Sequence, residues 1–142
     1  MHIKHWKKIA LVVSASMHYS LWDNFAKFSL NEIQQISNSI LTISATLIGF
    51  IFAIIAILVA ISENPTVKKM RENGMYVQII DHLGYLISGF SITISISYLC
   101  SLLSGDYIHY LLLIDSFVFT YSIIMMITDM FRRLKLTFRN LN

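Results

Sequence analysis

The chain has 142 residues, of which 56% are hydrophobic and 13% charged, with a formal net charge of +3. An ordinary globular domain carries nearly twice that charged share, so the composition excludes a typical soluble domain and points to a membrane protein. The single cysteine, Cys100, excludes an intrachain disulfide and reads as a small apolar filler.

The first candidate element is the short apolar run Ile9–Trp22, bracketed by Trp6 and Trp22 as interfacial anchors would bracket it. Lys4, Lys7 and Lys8 ahead of it, with "SAS" at Ser14–Ser16, also fit a signal peptide. The segment is expected to be retained and to form a first membrane helix over about residues 5–27.

Ser29-Leu-Asn-Glu32 then matches a capping box, in which the Ser and Glu side chains satisfy each other's exposed backbone N–H groups. A second helix is therefore predicted over 30–62. Its run Ser39–Ser62, "SILTISATLIGFIFAIIAILVAIS", holds no charged residue and exceeds the ~20 residues that cross a ~30 Å hydrocarbon layer. At more than 30 residues, or ~45 Å, the helix is longer than the layer requires, so its first turns must project or tilt.

Asn64-Pro65 ends this helix, because the proline ring disfavours helical geometry in the residue before it. "TVKKMRENG" is predicted as part of a short basic connector, 63–74, with a turn at Asn73-Gly74. Apolar runs at Leu83–Gly105 and Tyr107–Thr128 predict two further helices, over 75–103 and 107–135, joined by a turn at Gly105. The fold class is thus an all-α integral membrane bundle of four transmembrane helices in one domain, 1–142.

The basic residues orient it. Ten of the eleven fall in the N-terminus, the second loop (Lys68, Lys69, Arg71) and the C-terminus (Arg132, Arg133, Lys135, Arg139), and only Lys27 lies elsewhere. By the positive-inside rule these segments are cytoplasmic, which gives an N-in/C-in, multi-pass protein. The first loop and "SGDY" then face outward.

Each long helix carries a seam of polar or small residues at spacings of three and four, which place them on one face. In the second helix these are Gln35, Asn38, Thr42, Ala45, Gly49, Ala53, Ala56 and Ala60. In the third they are Asp81, Gly84, Ser88, Ser91, Ser95 and Tyr98, and in the fourth Asp115, Ser122 and Asp129. Polar groups facing lipid lack partners, so the seams are expected to point at protein or water. Close helix packing explains the alanine stretch, whereas Gln35, Asn38 and Thr42 suit a wet surface. Asp129 has Arg132 and Arg133 at i+3 and i+4 for a local ion pair.

Asp115 stands apart, about three residues, or ~4.5 Å, from the middle of its run. A charge there costs roughly 2.5–3.5 kcal/mol, so it should face the bundle or a water path. Two readings stay open: a protonated, hydrogen-bonded aspartate joining two helices, or a titratable group on an ion or proton route. Only His18 and His109 can approach it at that depth.

The histidines show no metal-ligand spacing, and the chain has neither a glycine-rich phosphate loop nor a serine elbow, so neither catalysis nor a cofactor is expected. The layout resembles the small four-helix membrane effectors of anti-phage systems, such as the Rex-type abortive-infection membrane protein and the channel component of Hailong-type systems. The shared features are length, four spans, the basic connector "NPTVKKMRENGMY" and a polar second helix leading into "SATLIGF".

That resemblance implies a homo-oligomeric ion-conducting effector of the bacterial inner membrane that depolarises it when triggered, in abortive infection. The rivals are a passive anchor for a cytosolic defence protein, a holin-like lesion former and a small proton-coupled transporter. Gln35, Asn38, Thr42, Gly49 and Asp115 are the pore-lining candidates. The cations of the second loop and C-terminus form a candidate rim for a cytosolic regulator, a nucleotide or an oligonucleotide, besides touching lipid headgroups.

Overall fold

The computed structural model describes residues 3–25, 27–105 and 107–139, with side chains described for residues 7–20, 23–25, 27–105 and 107–130. Five helices follow one another: α1 (Ile3–Phe25), α2 (Leu30–Ala60), α3 (Pro65–Glu72), α4 (Met75–Leu102) and α5 (Ile108–Arg139). Among the described residues there is no strand.

The start of α2 is set by the expected capping box. Ser29 Oγ accepts from the Glu32 backbone N–H, and Glu32 Oε2 accepts from the Ser29 backbone N–H at 2.8 Å. α2 stops at Ala60, and the segment expected to be an irregular connector contains a helix of its own. Asn64 caps α3 by accepting from the Thr66 N–H at 2.9 Å, and Pro65 occupies its first turn. A proline at that position loses no hydrogen bond and already has the helical φ, so one residue both closes α2 and opens α3. Buried Val67 seats α3 against the start of α4. The expected turn at Asn73-Gly74 is present, with Gly74 at φ +69°, a conformation open to glycine at no steric cost.

α4 runs antiparallel to both α2 and α5. Gln34 Nε2 donates to the Ser101 carbonyl at one end of the α2–α4 pair. On the α4–α5 pair, Ser97 meets Asp115 and His82 lies 3.5 Å from Asp129, so the register holds over much of both helices. α1 lies along α5, where His18 meets Ser116.

The buried residues of α4, Leu83, Leu86, Phe90, Thr93, Ser97 and Cys100, alternate spacings of three and four. That is the average of 3.5 that lets long helices interlock side chains along a shared seam. α2 presents Ile33, Ser37, Ile40, Ser44 and Ile51 to it. Two apolar clusters punctuate the interior. One, near the α1–α2 and α4–α5 turns, contains Ile33, Ile108 and Leu112. The other, toward α3, contains Ala10, Ile51, Leu83, Leu86, Phe90 and Met125.

Leu30–Ala60, Met75–Leu102 and Ile108–Met130 are long and apolar enough to cross a membrane. Their outer faces carry large exposed apolar side chains, among them Phe50, Phe52, Ile57, Ile92 and Leu102. Such a surface is costly in water and at home among lipid tails or against another protein.

Candidate functional site

Between the two apolar clusters the bundle buries polar groups. Asp115 of α5 is completely buried, as are Ser97 and Thr93 of α4 and Ser37 and Ser44 of α2. Ser97 Oγ donates to Asp115 Oδ2 at 2.5 Å. Among the described residues, the other carboxylate oxygen, Oδ1, has no hydrogen-bond partner, and neither does Ser37 Oγ or Ser44 Oγ. Ser37 approaches the buried thiol of Cys100 from α2, and Asp115 is close enough to that thiol to act on it electrostatically. Cys100 is fully buried in the α4 seam, as a small filler would be, and lies beside this layer. Three helices converge on one layer: Ser37 from α2, Ser97 and Cys100 from α4, and Asp115 from α5.

α1 closes the adjoining side. His18, nearly buried, has Nδ1 2.8 Å from the Ser14 carbonyl and Nε2 2.9 Å from Ser116 Oγ. A carbonyl only accepts, so Nδ1 carries hydrogen. In the neutral ring Nε2 then accepts from Ser116. In the charged ring Nε2 donates to Ser116 Oγ, whose own hydrogen turns to the Leu113 carbonyl 3.0 Å away. Both states have partners. His109, the other histidine expected near this depth, instead faces the Phe28 carbonyl at 3.0 Å and ties the α1–α2 turn to α5.

Asp115 sits about four residues, or ~6 Å, from the centre of Ile108–Met130. Among the described residues no Lys or Arg pairs with it. The cluster of Ile33, Ile108 and Leu112 flanks the layer on one side and that of Phe90 and Met125 on the other.

The remaining pore-lining candidates lie elsewhere. Gln35, Asn38, Thr42 and Gly49 are exposed on the outer face of α2, as are Ala45, Ala53, Ala56 and Ala60. The α4 seam from Asp81 to Tyr98 is exposed as well. A single chain therefore does not bring Asp115 together with Gln35, Asn38, Thr42 and Gly49. Within the outer stripes, Thr42 donates to the Asn38 carbonyl, Thr46 to Thr42, Ser88 to Gly84 and Ser95 to Ser91. Hydroxyls bonded to their own helix at i−4 tolerate lipid, so they do not by themselves demand a partner.

Lys68, Lys69 and Arg71 are exposed on α3, and the Arg71 guanidinium stands 5.7 Å from the Tyr76 ring centre. The backbone of α5 carries positions 132–139 toward the same end of the bundle. The side chains of Arg132, Arg133, Lys135 and Arg139, and with them the expected ion pair to Asp129, lie outside the described residues. Asp129 itself faces His82 of α4.

Among the described residues, no three His, Cys, Asp or Glu side chains are grouped to hold a metal ion. Comparison with protein families, curated proteins and solved structures finds no match to this chain. The fold defines an all-helical protein with three helices fit to span a membrane.

Proposed function

We propose that the chain is a multi-pass membrane protein of the bacterial inner membrane whose copies assemble along α2 into an ion-conducting homo-oligomer. One observation carries the reading: α2 turns its polar and small residues outward while a different face binds α4. The side-chain amides of Gln35 and Asn38 are exposed, and an amide in the bilayer needs protein or water around it. Small residues farther along the same face let a second helix approach closely.

Copies meeting along α2 bring Gln35, Asn38 and Thr42 to one end of a shared path and Gly49 to its middle. Closed cyclic symmetry is the simplest such assembly. α1 lies along α5 at the depth of Ser116, which supports its reading as a fourth span. The basic residues at the ends of the bundle support a cytoplasmic side for both termini and α3. The layout resembles anti-phage membrane effectors, and depolarisation of the host membrane in abortive infection is the role consistent with it.

The test is a membrane-potential dye in bacteria expressing the protein, beside planar-bilayer recordings of purified protein. Depolarisation and discrete conductance are expected, with Gly49→Cys forming cross-links between copies. Silent bilayers together with a monomeric extract would defeat the proposal. Cross-linked but silent protein would favour the anchoring role.

A further inference from the structure

We propose that the Asp115 layer is a binding site for one univalent cation, a proton or a sodium-sized ion, held inside the protomer. The inference does not rest on conduction between copies, because the layer lies inside one bundle, between two apolar clusters.

The layer offers oxygen atoms beside the Cys100 thiol. Asp115 contributes two carboxylate oxygens, Ser97 and Ser37 one hydroxyl each, and all three side chains are completely buried. Ser97 has only one proton, and it is committed to Oδ2. Among the described residues, Ser37 Oγ and Asp115 Oδ1 are buried without a hydrogen-bond partner. A buried charge is expensive unless it is paired or neutralised. The charged and titratable groups facing Asp115 are few. α4 offers only the Cys100 thiol, and α2 offers only neutral polar groups. α1 offers His18, which engages Ser116 rather than the carboxylate, and on α5 itself His109 is turned to the Phe28 carbonyl. A bound cation neutralises the carboxylate where no side chain does. A proton on Oδ1 needs one acceptor, and a sodium-sized ion needs several oxygens, both of hard-donor type.

The full chain in native membranes is treated with dicyclohexylcarbodiimide, a lipid-soluble reagent that adds to protonated carboxyls. The carboxyl proton moves to a carbodiimide nitrogen, the carboxylate oxygen bonds the central carbon, and acyl transfer to nitrogen gives a stable adduct with no leaving group. In parallel, thermal unfolding of detergent-extracted protein is followed against pH and against sodium chloride, with choline chloride as control.

Labelling of Asp115 that falls as pH rises, indifferent to sodium, identifies the proton. Labelling suppressed, or unfolding raised, by sodium and not by choline identifies the ion. Asp115→Asn should abolish every one of these responses. If that variant fails to insert, Ser37→Ala, which leaves the Ser97–Asp115 bond intact, should weaken them severalfold. Absence of labelling together with unfolding indifferent to both pH and sodium overturns the site. So does a response unchanged in Ser37→Ala and abolished by His18→Gln, which would assign neutralisation to the histidine.

Discussion

Gly89 of α4 and Ser122 of α5 touch so closely that a Cβ added to Gly89 would lie 2.6 Å from Ser122 Oγ. Ser122 is itself buried, so its hydroxyl has little room to swing away. The two helices cross here backbone against small side chain, which is how membrane helices gain dispersion contact without large apolar residues. Gly89→Ala should therefore push α4 and α5 apart and cost about 1–3 kcal/mol. Thermal unfolding in detergent is the measurement, and Gly89→Ala combined with Ser122→Ala should recover part of the loss. An unchanged melting temperature in the single variant would show that the crossing is looser than this contact implies.

Gly49 and Gly84 provide the opposite case, since a Cβ at either would meet nothing within 4 Å. Both lie on outward stripes, where a larger side chain leaves the single bundle undisturbed. Gly49→Leu should preserve helicity and extraction while reducing the oligomer population in cross-linking or light scattering by at least severalfold. Gly84→Leu reports independently on the α4 face. If Gly49→Leu leaves assembly and conductance untouched, copies do not meet along α2.

Among the described residues Ser97 is the side chain that donates to the Asp115 carboxylate, and Ser97→Ala leaves that buried group without it. A loss of about 1–3 kcal/mol follows from the desolvation of an unsatisfied polar group. Asp115→Asn should be tolerated better than Asp115→Leu, because an amide oxygen still accepts from Ser97. The double variant Ser97→Ala with Asp115→Leu should cost less than the two single losses added together, the sign of a shared interaction. Strict additivity of unfolding free energies would mean that the two side chains act separately.

The helical segments were legible because their signals are local. An uncharged run of sufficient length, the Ser29–Glu32 box and the Gly74 turn each state themselves within a few residues. The inward faces were harder to read. In water the buried face of a helix is its apolar face, but among lipid tails both faces are apolar and periodicity loses that contrast. The α4 seam mixes Leu86 and Phe90 with Thr93 and Ser97, whereas the more regular polar row from Gly84 to Ser95 faces outward. Asp115 was legible as an interior residue because a carboxylate in such a run has few other places to go. Its partners were not, since Ser97 and Cys100 reach it from α4 through register alone. α3 is hidden by Pro65, which in sequence signals only the end of α2, whereas its role at the first turn of a helix depends on the Asn64 cap beside it.

The last prediction concerns the cations at the α3 end. Lys68, Lys69 and Arg71 project from a short helix anchored by Val67, so their positions follow the bundle rather than a loose loop. Near an anionic surface each contributes about 1 kcal/mol of attraction, enough to orient the chain and hold α3 at the headgroups. Copies in a ring would also gather these residues, with Arg132, Arg133, Lys135 and Arg139, around one mouth. A concentrated positive field of that kind attracts phosphates, oligonucleotides or acidic proteins. Replacing Arg132, Arg133 and Lys135 with Gln should leave insertion intact and change gating, read as altered toxicity or depolarisation in cells. The α3 set, Lys68→Gln, Lys69→Gln and Arg71→Gln, should weaken binding to vesicles rich in anionic lipid and make the residual binding less sensitive to salt. Correct insertion with unchanged gating in the first set would confine those cations to orienting the chain. Unchanged lipid binding in the second would mean that α3 stands away from the headgroups.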